Sequence, residues 1–137
     1  MARKFKVEIV TPEKVVFSEE AESLVVPAER GYLGVLAGHA PLLCTLKPGE
    51  ISIKREGTEI HFATSGGFME VTPKKASLLT ESVEDPAGID VDRAREALQR
   101  AKQRLSSHDP SVDPDREQEA VARALNRLRT ASKYKDL

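Results

Sequence analysis

The chain has no tryptophan, a single cysteine and few aromatic residues, which make up 4% of its 137 residues. A single cysteine excludes an internal disulfide and a cysteine-based metal site. No apolar run approaches the ~20 residues that a membrane-spanning helix needs. The charges nearly balance, with 21 basic against 22 acidic side chains, whereas a general nucleic-acid binder is usually strongly basic. These absences predict a soluble protein on the cytosolic side.

The region up to about Val83 shows a pattern of short strands. Residues 5–10 alternate apolar and polar side chains, and they carry charges where a signal peptide needs an apolar core. Further short apolar or alternating stretches follow, separated by glycine and proline turn signals: 24–27, 42–46, 50–55, 59–65, 68–71 and 76–80. Many short strands punctuated in this way indicate an all-β sandwich or barrel rather than alternating strands and helices.

The pattern changes at Asp85. Beyond a short linker, apolar residues recur every three or four positions in residues 91–105 and 121–131. Asp113 followed by Pro114 fits a helix N-cap with proline at the first helical position, and Asp90 stands at a natural N-cap. The pattern predicts two amphipathic helices in an antiparallel hairpin. The apolar stripes are narrow and rich in alanine, so this hairpin is expected to be marginal alone and able to open.

Arginine is concentrated in this C-terminal part. Residues 89–137 hold eight of the eleven arginines and only three lysines. At ~100° per residue, the arginines form one row on each helix: Arg93, Arg100 and Arg104 on the first, and Arg116, Arg123 and Arg127 on the second. Arginine presents a planar donor fork that suits phosphate oxygens, which favours an anion site between the two rows.

A solvated surface is the alternative interpretation of these rows. Glu96–Arg100 and Glu119–Arg123 have the i, i+4 spacing of helix-surface ion pairs, with the acid first. Arginine is also a good helix former. The residue pattern alone leaves both interpretations open.

No residues stand out as catalytic or metal-binding. His39, His61 and His108 lack the paired spacing of metal ligands. The Ser-Gly-Gly at 65–67 predicts a tight turn rather than a nucleophile loop. The chain is therefore not predicted to be an enzyme. Two other classes remain as alternatives: an arginine-rich nucleic-acid binder, with strong salt dependence, and a small hydrolase that would turn over ATP by itself.

Four motifs occur in a specific order: V-T-P-E at 10–13, G-x-L-G-V-L-x-G-H-A-P-L-L at 31–43, S-G-G-F-M-E-V at 65–71 and I-D-V-D-R-A at 89–94. With these motifs, the chain resembles the epsilon subunit family of the bacterial-type rotary (F-type) ATP synthase. The resemblance implies a ten-stranded β-sandwich at 1–84, a linker at 85–88 and an antiparallel two-helix hairpin at 89–137.

The resemblance also implies a place in the central rotor stalk. It implies a non-catalytic subunit that binds the gamma subunit and the ring of c subunits and helps couple proton translocation to ATP synthesis. The subunit would lie at the cytoplasmic face of the bacterial plasma membrane, associated with it only through the complex. By analogy, the loop with Arg30, Gly31, Tyr32 and His39 would face the c ring, and Leu42 and Leu43 would face gamma. The hairpin would inhibit ATP hydrolysis by extending into the alpha/beta catalytic head.

Family members that bind ATP carry an I/L-D-x-x-R-A motif at the start of the first helix, and residues 89–94 match it. The resemblance therefore implies ATP as a regulatory ligand that this subunit does not hydrolyse, with the need for Mg²⁺ left open. Ile89, Asp90 and Ala94, with Glu84 nearby, would meet the adenine end. Arg93, Arg100, Arg123 and Arg127 would serve the ribose-phosphate end. The alternative is the same rotor subunit with an inhibitory hairpin that does not sense ATP directly.

Overall fold

The computed structural model describes residues 3–135, which form ten strands, a 3₁₀ turn and two helices. They divide into two compact units, with the boundary between Glu84 and Asp85. The strands are β1 (Phe5–Val10), β2 (Val15–Ala21), β3 (Ser23–Ala28), β4 (Gly31–Val35), β5 (Leu42–Leu46), β6 (Gly49–Arg55), β7 (Thr58–Thr64), β8 (Gly67–Val71), β9 (Lys75–Thr80) and β10 (Val83–Glu84). The helices are α1 (Val91–Ser106) and α2 (Pro114–Tyr134), preceded by the 3₁₀ turn Pro86–Gly88.

The first unit is a ten-stranded sheet folded around an apolar core. Its strands follow the order β10-β7-β6-β3-β5-β8-β9-β1-β2, and β4 pairs with β3 beside this path. Neighbours pair antiparallel except for β1 and β9, which are parallel. The interior is filled by alternate side chains of the strands, including Val7, Ile9, Leu24, Val26, Ile51, Ile53, Met69, Val71 and Leu78. The predicted fold class, a ten-stranded β-sandwich followed by two helices, is confirmed.

Three of the ten strands were missing from the strand pattern of the sequence. Strand β2 turns Phe17 and Ala21 inward but exposes acidic residues between them, which breaks the apolar signal. Strand β4 contains two glycines among five residues, and β10 is only two residues long. These strands form because their neighbours supply the pairing partners and cover the inward side chains.

Gly67 fills a position that no other residue fits. Its φ is +151°, and a Cβ added there would lie 2.1 Å from the carbonyl oxygen of Leu79 on β9. We expect Gly67→Ala to lower the free energy of unfolding of the sandwich by at least ~2 kcal/mol, because the strands must separate or strain. Urea denaturation measures this change in the free energy of unfolding.

Gly34→Ala is the matched control for that substitution. Gly34 lies within strand β4, and nothing comes within 4 Å of an added Cβ. We expect a change of no more than ~0.5 kcal/mol there. Equal losses in the two variants would contradict the steric account of Gly67.

The second unit is an antiparallel helix hairpin with an alanine-rich seam. The carboxylate of Asp90 accepts a hydrogen bond from Arg93 N at 3.0 Å, and that of Asp113 accepts one from Asp115 N at 3.0 Å. Both predicted N-caps, and Pro114 at the first helical position, are therefore confirmed. The buried alanines of the two helices are Ala94, Ala101, Ala124 and Ala131.

Polar contacts join the helices near both ends of the hairpin. Near the turn, Arg104 Nη1 lies 3.5 Å from Glu117 Oε1. At the other end, Lys135 Nζ donates a hydrogen bond to the backbone oxygen of Ile89 at 2.6 Å, just before α1 begins. These contacts fix the register of α1 against α2.

Candidate functional site

The two arginine rows lie on the same side of the hairpin. At ~100° per residue, the row of Arg93 and Arg100 is rotated by about 100° from the buried alanines of α1. The row of Arg123 and Arg127 is rotated by about 70°, in the same sense, from those of α2. Because the helices are antiparallel, rotations in the same sense bring both rows to one side of the seam.

The register also brings the arginines to matching heights. Counting from the contact between Arg104 and Glu117 along both helices puts Arg100 level with residue 121 and Arg93 level with residue 128. Arg100 and Arg123 therefore lie within one turn of each other along the hairpin, as do Arg93 and Arg127. Arg93, Arg100 and Arg123 are exposed, and Arg127 is half-buried. This arrangement gives two levels of positive charge along one side of a two-helix element.

The predicted surface ion pairs do not account for these arginines. Glu96–Arg100 and Glu119–Arg123 are not among the ion pairs within 4 Å in residues 3–135. The ion pairs of the two helices include Arg95–Asp92 and Arg104–Glu117. The i, i+4 interpretation of Arg100 and Arg123 is therefore wrong, because their side chains do not reach those acids.

The residues predicted for the adenine end are in different situations. Ile89 and Ala94 are fully buried, and the Asp90 carboxylate is engaged as the N-cap of α1. Ile89 still presents its backbone oxygen, which accepts from Lys135. Glu84 lies in the first unit, on β10, where it pairs with Ala63 of β7. Any contact of Ile89 or Ala94 with a ligand therefore needs backbone atoms or a local shift.

The turn of the hairpin contains a polar groove of about 560 Å³. It is lined by Arg100, Gln103, Arg104, Ser107, Asp109, Ser111 and Val112. Ser111 donates to the Asp109 carboxylate from its backbone nitrogen at 2.9 Å and from its hydroxyl at 2.8 Å. These bonds lower the pKa of Asp109 from its ordinary value, the backbone bond having the larger effect. The groove thus shares Arg100 with the arginine row of α1, and its lining adds the carboxylate of Asp109.

The predicted c-ring residues do not form a single loop. The segment Gly31–Val35 is strand β4, so Arg30 and His39 lie beyond opposite ends of that strand. The expectation of one loop from Arg30 to His39 is therefore wrong, because this segment pairs with β3 over its whole length. Tyr32 is exposed, and its hydroxyl accepts a hydrogen bond from Glu50 N at 3.2 Å. His39 Nδ1 lies 2.7 Å from the backbone oxygen of Ala40.

An exposed apolar surface lies across strands β5, β8 and β9. Leu43, Phe68 and Leu79 are 71%, 56% and 60% exposed, and Phe68 lies directly opposite Leu79 in the β8–β9 pair. Leu42, by contrast, is half-buried and packs against the core. We call Leu43, Phe68 and Leu79 the apolar face. A groove of about 340 Å³ beside Phe68 and Leu79 extends to residues 10–12 of β1 and the following turn.

Sequence reasoning included Leu43 but missed Phe68 and Leu79. The signal was present in the alternation of β8, where inward Met69 and Val71 require Phe68 to point outward. Leu79 follows the same rule beside inward Leu78 on β9. Exposed apolar clusters of this kind mark surfaces that another molecule covers.

The described residues contain no grouping of histidine, cysteine, aspartate and glutamate suited to a metal ion. Cys44 is half-buried on β5, and desolvation by burial raises the pKa of its thiol. Within residues 3–135, neither helix is long and apolar enough to cross a membrane.

Comparison with protein families assigns both units. Residues 4–86 match the ATP synthase delta/epsilon chain β-sandwich domain, and residues 88–132 match the long α-helix domain of the same chain. The chain belongs to the ATP synthase delta/epsilon family. The predicted resemblance to the epsilon subunit of the bacterial-type enzyme is thereby confirmed. Members of this family are non-catalytic subunits, so the prediction that the chain is not itself an enzyme is confirmed as well.

Bacterial epsilon chains are similar to this family member over most of their length. The ATP synthase epsilon chain of Koribacter versatilis is 48% identical over 110 residues, which cover 80% of this chain and 78% of that one. The epsilon chain of Desulforamulus reducens is 46% identical over 112 residues, which cover 82% and 85%. The matches span both the sandwich and part of the hairpin, because neither unit alone is 110 residues long.

Two solved assemblies contain chains with the same fold. A chain of the Euglena gracilis mitochondrial ATP synthase, in a structure of OSCP, F1 and c ring, superposes with a TM-score of 0.82 at 22% identity, covering 96% of this chain and 82% of that one. A chain of the Tetrahymena thermophila mitochondrial central stalk and c ring superposes with a TM-score of 0.61 at 17% identity, covering 98% of both chains. At these levels of sequence identity, the structural similarity shows that the chains share a fold.

Proposed function

We propose that this chain is a rotor subunit whose hairpin senses ATP and regulates ATP hydrolysis by the complex. The observation that carries the ATP-sensing part is the pair of arginine rows on one side of the hairpin. Arg93 and Arg100 come from α1, and Arg123 and Arg127 come from α2, at matching heights. A polyphosphate held between the rows bonds to both helices at once. It therefore binds the closed hairpin more tightly than the open one.

The free energy available from ATP is enough to move this hairpin between two states. A ligand that binds only the closed form stabilises it by RT ln(1 + [L]/Kd), about 2.7 kcal/mol at a hundredfold excess over Kd. Four buried alanines remove less apolar area from water than leucine or isoleucine side chains would. The closed hairpin is therefore only slightly more stable than the open one. A near-balanced equilibrium shifts about a hundredfold under such a ligand.

Loss of ATP has the opposite effect on the hairpin. The arginines of the two rows then repel one another across the seam, since no anion separates them. The open hairpin extends towards the alpha/beta catalytic head, where the exposed arginines can pair with acidic groups. In this form the subunit blocks ATP hydrolysis, so high ATP is permissive and low ATP is inhibitory.

The sandwich holds the subunit on the rotor. The apolar side chains of Leu43, Phe68 and Leu79 are exposed, and surfaces of this kind are usually covered by another molecule. We assign this apolar face to the gamma subunit. The c ring is assigned to the sandwich end with Arg30 and exposed Tyr32. The structures that share this fold come from assemblies containing a c ring or central stalk, which supports a place on the rotor. The subunit then lies at the cytoplasmic face of the plasma membrane and turns with the ring during proton translocation.

A distance measurement between the helices tests the proposal. Spin labels are attached to cysteines at exposed Gln99 of α1 and Ser132 of α2, with Cys44 replaced by serine. In the closed hairpin the two sites are about 20 Å apart, whereas one continuous helix would separate them by about 50 Å. We expect ATP to increase the short-distance population, because it bridges both arginine rows.

GTP at the same concentration is the control, since it has the same triphosphate and a different base. An equal response to GTP would show that the site reads phosphate alone. A distance distribution that ATP leaves unchanged would support the alternative, a hairpin that does not sense ATP directly.

A further inference from the structure

One acidic side chain is buried in the seam of the hairpin. Glu117 lies in the first turn of α2, and only 11% of its side chain is exposed. Its Oε1 is 3.5 Å from Arg104 Nη1 of α1. Its Oε2 is also buried and has no hydrogen-bond partner among residues 3–135. Glu117 is thus a buried carboxylate with one long ion-pair contact.

Such a carboxylate opposes closure of the hairpin. Burying a charge removes its hydration, and a buried ion pair compensates for this only with good geometry and full hydrogen bonding. The contact with Arg104 is at the long end of the ion-pair range, and the Arg104 side chain is 57% exposed. Opening the hairpin returns both oxygens of Glu117 to water. The buried alanines of the two helices, such as Ala101 and Ala124, cannot supply further hydrogen bonds from side chains.

We propose that Glu117 and Arg104 form a clasp that sets the balance between the closed and open hairpin. Glu117 weakens the closed form, and Arg104 compensates for part of that effect without abolishing it. The hairpin therefore stays close enough to balance for a ligand to shift it. The use of this clasp in regulation rests on the ATP-sensing function proposed above, whereas its effect on the hairpin does not depend on nucleotide.

The clasp predicts opposite effects for its two members. Glu117→Met removes the buried charge and fills the site with a side chain of similar length. The closed hairpin therefore becomes more stable relative to the open one. The Arg104 side chain left behind can turn to water because it is more than half exposed. Arg104→Met leaves the Glu117 carboxylate buried without its cation, so the closed hairpin becomes less stable relative to the open one. An ordinary stabilising ion pair would shift the hairpin towards opening in both variants.

The experiment measures the distance between labels at Gln99 and Ser132 in the absence of nucleotide. We expect the ratio of closed to open hairpin to rise at least about fivefold in Glu117→Met and to fall at least about fivefold in Arg104→Met. Two controls test other causes. Arg95→Met breaks the exposed Arg95–Asp92 pair on α1, and Asp115→Asn removes a first-turn charge from α2. We expect less than a twofold change from either control.

Opening in Glu117→Met, or no change in it, would overturn the clasp. A twofold or larger closing effect of Asp115→Asn would assign the result to the charge at the start of α2 instead, and would also overturn it. These outcomes are separate from the ATP proposal, because no nucleotide is present. If ATP fails to close the unmodified hairpin while the two clasp variants move in opposite directions, the clasp stands and the ATP-sensing function fails.

Discussion

Arg93→Ala and Arg127→Ala are each expected to weaken ATP binding by at least about tenfold. Each substitution removes a guanidinium from one row, and a hydrogen bond to a charged group contributes about 1.5–3 kcal/mol. The two residues come from different helices and lie at nearly the same height on one side of the hairpin. Loss of either should therefore weaken the same contact with the phosphates. Calorimetric titration of the isolated chain with ATP measures both effects.

Arg95→Ala and Arg129→Ala are the matched controls for these variants. Each removes the same charge from the same helix two positions further along, which is about 200° around the helix from the row. Arg95 and Arg129 are both exposed. We expect the dissociation constants of these two variants for ATP to stay within about threefold of the value for the unmodified chain. The substitutions change only the long-range electrostatic field at the nucleotide. Equal losses in all four variants would mean that net charge, rather than the two rows, attracts the nucleotide.

Removal of the hairpin is expected to raise ATP hydrolysis by the assembled complex when ATP is scarce. A chain ending at Glu84 keeps the whole sandwich unit and lacks the hairpin residues that would extend into the catalytic head. If the inhibitory form is favoured by about 1.4 kcal/mol at low ATP, about ten complexes are inhibited for each active one. Hydrolysis would then rise by about tenfold on truncation, and the rise would shrink as ATP increases.

The truncation needs a test of assembly alongside the rate. Gel analysis of the purified complex shows whether the shortened subunit is present in the same amount as the full chain. An unchanged hydrolysis rate at low ATP, with the shortened subunit fully incorporated, would contradict the inhibitory role. It would leave the rotor role of the sandwich intact, because that role does not use residues 85–137.

Local chemistry made the helices and most strands predictable from the sequence. Asp90 and Asp113 act on backbone groups two or three residues away, so their N-cap roles follow from short spacings. The alternation of β1 or β6 is likewise visible in six or seven residues. The rows of Arg93–Arg100 and Arg123–Arg127 could be read from the helical period alone.

Features that depend on distant partners could not be predicted in the same way. Strand β4, with two glycines, exists because β3 pairs along it, so the supposed loop around Arg30–His39 contains a strand. Phe68 and Leu79 become one surface only when β8 and β9 pair side by side. The burial of Glu117 has no local signal, because its neighbours on α2 are polar and its ion-pair partner, Arg104, lies on the other helix. The family resemblance implies a ligand contact for Ile89 and Ala94, whereas packing turns both side chains inward.

The most direct measurement is calorimetric titration of the unmodified chain with ATP, followed by ADP and GTP. We predict one ATP per chain, with tighter binding of ATP than of GTP, because the triphosphate bridges two arginine rows while the base makes separate contacts. An absence of heat up to millimolar ATP would contradict it. The arginines of α1 and α2 would then be a solvated surface, on a rotor subunit whose hairpin acts without sensing ATP.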